Sequence, residues 1–485
     1  MGREVSLRQA SLDGTERGAQ MVTDTFIRNA DWLITVDPQR RIFTDGAVAI
    51  QGDRIVAVGK TKDLEPQHSS ARQTINAQNK VVLPGLIDCH IHSSFQLARG
   101  LADECSAQKF LFERMYPYEG LLNEEENYWS GKLCVLELLR NGVTTFIDAG
   151  NYFPHQTARA AGETGLRCVI AKSAMDIAKS PFGALPERFQ ETTDQAVERE
   201  EEVVKKLNGS YDGRVRAWFQ FRGIPNSSDQ LVTRLKGLAD RYHTGVQTHA
   251  CFAKETVESC KTQFGVTEIE RLERLGVLGP NVLLVHTGWI SPQEVEFVRA
   301  HDCKIVAAPS SSLHNAYGNL LMGKIPEFLE MGLAVGLGSD HASSGIVDLL
   351  QEMSLVSGVY KEVRLSTSVM PPERVVEMAT INGARCALWE NEIGSLEVGK
   401  KADITLFNTQ MPQWQPLYNP VSNLVYSATG ASVDTVICDG KVLMEGRELR
   451  TINEAEIYRE VARITPGILK KTKLEDKIKP KWPVF

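Results

Sequence analysis

His90 and His92 stand one residue apart at the end of the apolar run Val81-Val82-Leu83-Pro84-Gly85-Leu86-Ile87. Alternate side chains of a strand share a face, so the two imidazoles project together and can grip one ion. Further ligands are on offer in Gln247-Thr248-His249, Val285-His286 and Ser339-Asp340, each closing another short apolar run. Three neutral imidazoles and one carboxylate suit a single divalent ion, Zn(II) or Fe(II), that keeps a position for water. Such an ion lowers the pKa of water from roughly 15.7 to about 7, which makes a nucleophile available without a strong base. The expected metal ligands are His90, His92, His249 and Asp340. Asp340 is also the expected catalytic proton acceptor, able to hand the proton to a departing nitrogen, and His286 is placed to polarise the electrophile.

A constellation drawn from positions 90 to 340 needs a scaffold that brings distant strand ends to one mouth. Between residues 81 and 339, short β-branched runs alternate with helical stretches, the rhythm of repeated βαβ units and a parallel sheet. Eight candidate strands fall at 81–92, 143–148, 166–172, 215–221, 245–249, 282–286, 304–308 and 333–339. The fold class read from this is α/β, a (β/α)8 TIM barrel, whose chemistry sits at the C-terminal strand ends where the candidate ligands lie. No Gly-x-Gly-x-x-Gly follows the first strand, which argues against a doubly wound nucleotide-binding sheet.

Alternating runs at both chain ends have another grammar. Gly46-Ala47-Val48-Ala49-Ile50 and Ile55-Val56-Ala57-Val58 surround a Gly-Asp turn, and Thr435-Val436-Ile437-Cys438 meets Lys441-Val442-Leu443 across Asp439-Gly440. Neither half has enough strands to be stable alone, so the two should join as a small composite β-sandwich. The expected organisation is a flexible tail over 1–22, a sandwich from 23–83 and 386–449, a barrel over 84–385, and a C-terminal helix or arm over 450–485. Lysines crowd that last stretch, but Glu475 and Asp476 interrupt them, which reads as a solvated surface.

Composition narrows the partners. The 485 residues carry 54 Lys and Arg against 61 Asp and Glu, an acidic excess that disfavours nucleic acid and membrane surfaces and leaves a small-molecule substrate. Nine cysteines without a Cys-x-x-Cys pair fit reduced thiols and a cytoplasmic setting. No apolar run approaches the roughly twenty residues needed to span a bilayer.

Pro84-Gly85-Leu86-Ile87-Asp88-Cys89-His90-Ile91-His92, Gly142-Val143-Thr144-Thr145-Phe146-Ile147-Asp148, Val285-His286-Thr287, Gly338-Ser339-Asp340 and Ile393-Gly394-Ser395-Leu396-Glu397-Val398-Gly399-Lys400-Lys401-Ala402-Asp403 occur in this order. Together they resemble the amidohydrolase superfamily, in the branch of cytosine and guanine deaminases, adenosylhomocysteine deaminases and triazine hydrolases. The resemblance implies one metal ion, a homo-oligomer, and a glutamate three residues after the fifth-strand histidine that shuttles a proton to a ring nitrogen. That position is Phe252, and Glu255 is the nearest acid along the chain. The family's Pro-His-x-Pro after the fourth strand reads Phe221-Arg222-Gly223-Ile224-Pro225, and the seventh strand is followed by Ser312, His314, Asn315 and Tyr317.

These departures favour a carbonyl substrate, an amide, urea or carbamate with an aryl group, whose cleavage needs no ring protonation. The alternative is an aminohydrolase or chlorohydrolase of an N-heteroaromatic ring. Phe252, Phe221, Tyr317, His314 and Asn315 are the expected substrate-binding residues.

Overall fold

The computed structural model describes residues 23–484, so the tail expected over 1–22 lies outside the described residues. The barrel is built from Leu86–Ile91, Val143–Asp148, Arg167–Ile170, a broken fourth strand of Val215–Ala217 and Phe219–Gly223, then Val246–Ala250, Val282–His286, Lys304–Ala307 and Val335–Leu337. Every neighbouring pair is parallel. The fourth strand breaks at Trp218, whose N–H donates to Ile170 O while the Phe219 N–H donates to Gly245 O, so one strand serves both arcs of the sheet. Closure joins the eighth strand to the first: Asp340 N–H donates to His90 O at 2.8 Å and His92 N–H to Asp340 O at 2.6 Å. Gly338 makes that approach possible, because a Cβ there would lie 2.8 Å from His90 Cβ.

The outer faces of the strands pack Val282, Leu284, Ile305 and Val335 against the surrounding helices, while Ile87, Cys89, Trp218, Leu283 and Val306 form a separate core with Trp389. Helix starts follow local capping chemistry. Asn123 and Glu126 form a reciprocal capping box ahead of Glu124–Arg140, and Ser291 with Glu294 does the same for Pro292–Ala300.

The run expected as one strand over 81–92 divides at Gly85. Lys80–Pro84 pairs antiparallel with Ile404–Asn408 in the sandwich, and Leu86–Ile91 enters the barrel. A Cβ on Gly85 would sit 2.1 Å from Thr144 Oγ1, so the seam between the two layers closes on a glycine. The sandwich consists of a four-stranded sheet from the N-terminal segment and a seven-stranded sheet that mixes both chain ends. Ile27, Val48, Ile50 and Val82 pack between them with Leu396, Ile404 and Ile437.

The C-terminal helix Glu454–Thr472 buries Ile464 and Ile468 in one cluster with Phe95, Leu101 and Tyr118, on the segment that follows the first barrel strand. Its lysine-rich end is therefore not merely solvated, since Lys471 also pairs with Glu126.

Candidate metal centre

The barrel brings five side chains from four strand ends together. His90 and His92 close the first strand and pack edge to face, with ring centroids 5.1 Å apart. His249 ends the fifth and His286 the sixth, and Asp340 follows the eighth with φ +64°. Asp340 Oδ1 lies 3.4 Å from His90 Nε2 and 3.6 Å from His92 Nε2, and its Oδ2 lies 3.7 Å from His286 Nε2. Two triads have ligand atoms all within 4.8 Å of one another, His90–His92–His249 and His90–His286–Asp340, and both use His90.

The residues fit a cation. His249 Nδ1 faces the Arg222 carbonyl at 2.8 Å, which fixes the proton on Nδ1 and leaves Nε2 as a bare acceptor. That Nε2 points at His92 Nε2 across 3.2 Å. Burial, the Arg222 guanidinium and the neighbouring imidazoles hold His92 well below the usual histidine range. Burial followed by His90 and His286 does the same for His249. With the His92 proton on Nδ1, as in His249, both Nε2 lone pairs turn to one point and can share a positive ion. Burial brings His286 down to about 4. Burial also works to raise Asp340, but its interactions with His341, His90 and His286 outweigh it and keep the carboxylate well below its ordinary value. A neutral nitrogen set beside an ionised carboxylate is the donor chemistry a divalent ion requires.

Above the cluster lies a pocket walled by Phe110, Phe182, Phe252 and Tyr317. Phe252 stands 5.5 Å from Tyr317 and 5.8 Å from His286, centroid to centroid. His341, also in the pocket, stacks on Phe110 at 4.6 Å and takes a 2.7 Å hydrogen bond between Nδ1 and Ser343 Oγ. His314 and Asn315 lie elsewhere, in a neighbouring groove with Glu255, and His314 Nε2 turns 3.1 Å from Asp103. Tyr317 borders both spaces. Phe221 is a correction: it is buried in the layer between barrel and helices. Alternation along the strand sends Gln220 and Arg222 inward and the intervening phenylalanine outward.

Two pocket features carried no local sequence signal. Arg222 pairs through Nη1 with Glu119, each side chain 2% exposed, and its Nη2 has no hydrogen-bond partner. Ser94 Oγ donates to the other oxygen of Glu119 at 2.9 Å. Glu268, from the helix Glu268–Arg274, also reaches the pocket wall. Its nineteen-residue separation from His249 hides that relation, which the turn at Cys251 creates.

The amidohydrolase family profile matches residues 81–443, three-quarters of the chain. The chain belongs to the amidohydrolase family. Its buried histidine and aspartate cluster is accordingly the machinery of a metal-dependent hydrolase of C–N bonds, with room for a single divalent ion. A bacterial imidazolonepropionase-like composite domain also matches residues 46–68 in the sandwich.

This amidohydrolase is 33% identical over 441 residues to a 5′-deoxyadenosine deaminase of Methanobrevibacter smithii, covering 90% of this chain and 97% of that one. A 5-methylthioadenosine/S-adenosylhomocysteine deaminase of Syntrophobacter fumaroxidans is 33% identical over 437 residues, covering 90% and 96%. Among solved structures, a zinc-bound adenosine deaminase from Xanthomonas campestris superposes with TM-score 0.86 at 24% identity, over 92% of this chain and 99% of that one. The zinc complex of an atrazine chlorohydrolase from Arthrobacter aurescens gives 0.81 at 23%, over 91% and 100%. At these identities the superpositions establish the shared fold. No helix among the described residues is long and apolar enough to cross a membrane.

Proposed function

We propose that this amidohydrolase is an aminohydrolase that removes the exocyclic amine of an N-heteroaromatic ring, with 5′-modified adenine nucleosides as the favoured substrates. The observation that carries this reading is the similarity, over nine-tenths of both chains, to deaminases of 5′-deoxyadenosine and 5-methylthioadenosine. The aryl amide or urea substrate expected from Phe252 gives way to this alternative. That expectation rested on the lack of a second acid, and Glu268 supplies a second carboxylate in the pocket wall.

His90, His92, His249 and Asp340 would hold a divalent ion, which would supply a water made nucleophilic near neutral pH. The protein then has three tasks. The aromatic walls at Phe252 and Tyr317 sandwich a flat ring more readily than a flexible amide. Asp340, kept ionised, accepts a proton from the attacking water and returns it to the leaving amine. His286, kept neutral beside it, orients the reacting oxygen with its ring nitrogen.

Metal-loaded protein should release ammonia from 5′-deoxyadenosine or 5′-methylthioadenosine and leave phenylureas and anilides intact. Turnover of the ureas without turnover of the nucleosides would reverse the assignment.

A further inference from the structure

We propose that Glu268 is the proton donor to the ring nitrogen beside the carbon under attack; the assignment rests on the deaminase reading above. Only two carboxylates line the pocket over the metal centre among the described residues, Asp340 and Glu268. Glu268 is 1% exposed. One of its oxygens, Oε2, accepts the backbone N–H of Cys251, a residue at φ +52° in the turn between His249 and Phe252. The other, Oε1, is buried without a hydrogen-bond partner. A buried carboxylate in the cavity wall, with one oxygen anchored and the other without a hydrogen-bond partner, has the form of a poised acid, because the unpartnered oxygen can carry a proton and donate it.

The surroundings favour the protonated form. Burial pushes Glu268 up to about 7. The groups facing it are the Cys251 amide and thiol, the Thr256 hydroxyl, the Cys260 thiol and the Glu294 carboxylate from the helix Pro292–Ala300. The last adds like-charge repulsion, and no cation of the neighbouring elements pairs with Glu268 among the described residues. The pocket wall thus holds a carboxyl whose proton affinity is raised into the neutral range, where it can give up a proton and take one back. Phe252 cannot transfer a proton, so the nearby wall supplies what that position does not.

The atoms balance as follows. The oxygen of water bonds to the amine-bearing ring carbon and one of its protons goes to Asp340. The carbon–nitrogen double bond opens toward the ring nitrogen, which takes the proton of Glu268 and becomes N–H. Asp340 passes its proton to the exocyclic amine, the C–N bond breaks, and ammonia leaves with that electron pair. The remaining hydroxyl proton goes to Glu268, regenerating the acid and leaving a ring carbonyl.

The test compares metal-loaded wild type, Glu268→Gln and Glu268→Asp on 5′-deoxyadenosine, with metal content and Tm measured on the same samples. Glu268→Gln should lower kcat by about 100-fold or more with KM within about threefold and metal content unchanged, and Glu268→Asp should retain an intermediate rate. The wild-type rate should also fall on an alkaline limb near pH 7 that Glu268→Gln abolishes. A Glu268→Gln kcat within about threefold of wild type would overturn the proposal while leaving the deaminase reading intact. If that variant fails to fold, the wild-type profile decides: an alkaline limb displaced in Glu268→Asp supports the assignment, and its absence removes it. Wild type inert on every adenine nucleoside overturns the deaminase reading, and the role of Glu268 with it.

Discussion

His92 and His249 face each other through their Nε2 atoms across 3.2 Å, at the base of a pocket from which solvent is largely excluded. Neither ring is held as a cation, so both can turn an Nε2 lone pair to a positive ion. Folding energy is therefore linked to metal occupancy. Chelation should lower Tm, and restoring Zn(II) or Fe(II) at about 1,000 times its dissociation constant should return about 4 kcal/mol. His249→Ala should abolish that metal-dependent rise and reduce bound metal from about one equivalent to a small fraction. Elemental analysis and thermal scans of the same samples check both points.

Asp340→Asn tests the proton acceptor with little risk to the backbone. The residue sits at φ +64°, a conformation that asparagine accepts as well as aspartate does. The expected outcome is a loss of about 10²–10⁴-fold in kcat with the folded far-UV signature retained. Near-wild-type turnover would show that another group accepts the proton.

Arg222 and Glu119 form an ion pair from which water is excluded. Removing one partner strands the other charge. Arg222→Met should therefore destabilise the fold by about 3–5 kcal/mol in chemical denaturation, and Glu119→Leu in the same chain should recover most of the loss. A single variant as costly as the double would assign the effect to lost packing of Arg222 over Tyr116, whose ring centroid is 5.1 Å from the guanidinium.

Phe252 is half-buried between Tyr317 and the metal centre. As a stacking wall it acts on ground state and transition state alike. Phe252→Ala should raise KM by roughly fivefold with kcat little changed, the signature of uniform binding lost with about 1 kcal/mol of aromatic contact. Steady-state kinetics on an adenine nucleoside reads the split.

Glu352 gives a pH prediction away from the metal. It is fully buried, accepts the Ser310 N–H at 2.9 Å, and burial pushes it up to about 8. The folded chain thus holds this proton more tightly than the unfolded chain, whose glutamate has the ordinary value of 4.5. Its contribution is fully present at low pH and is lost as pH rises from 4.5 through about 8. Glu352→Gln keeps the hydrogen bond and removes the charge, so its Tm relative to wild type should rise by about 3 °C or more between about pH 6 and about pH 9. A difference that stays flat would mean the carboxyl does not titrate in that window.

How far the sequence reached follows from the range of the signals. His90 and His92 are legible because the strand period is two and both fall at the end of an apolar run. His249, His286 and Asp340 are legible because a barrel delivers all its C-terminal strand ends to one mouth. Phe221 was misplaced for a local reason, since a strand sends it to the face opposite Arg222. Glu255, close to His249 along the chain, turns into the outer groove as its helix begins. Glu268 reaches the pocket, and Glu119 reaches Arg222 behind it, through the packing of helices onto strands, and nothing in their own sequence neighbourhoods announces it. The break of the 81–92 run at Gly85 likewise depends on a partner, Thr144, almost sixty residues away.

The measurement that tests the central claim most directly is ammonia release by metal-loaded protein, with 5′-deoxyadenosine and 5′-methylthioadenosine set against a phenylurea and an anilide under identical conditions. The predicted result is ammonia and a 6-oxopurine product from the nucleosides and no aniline from the other two. Aniline released from the urea or the anilide, with the nucleosides recovered unchanged, would contradict the account.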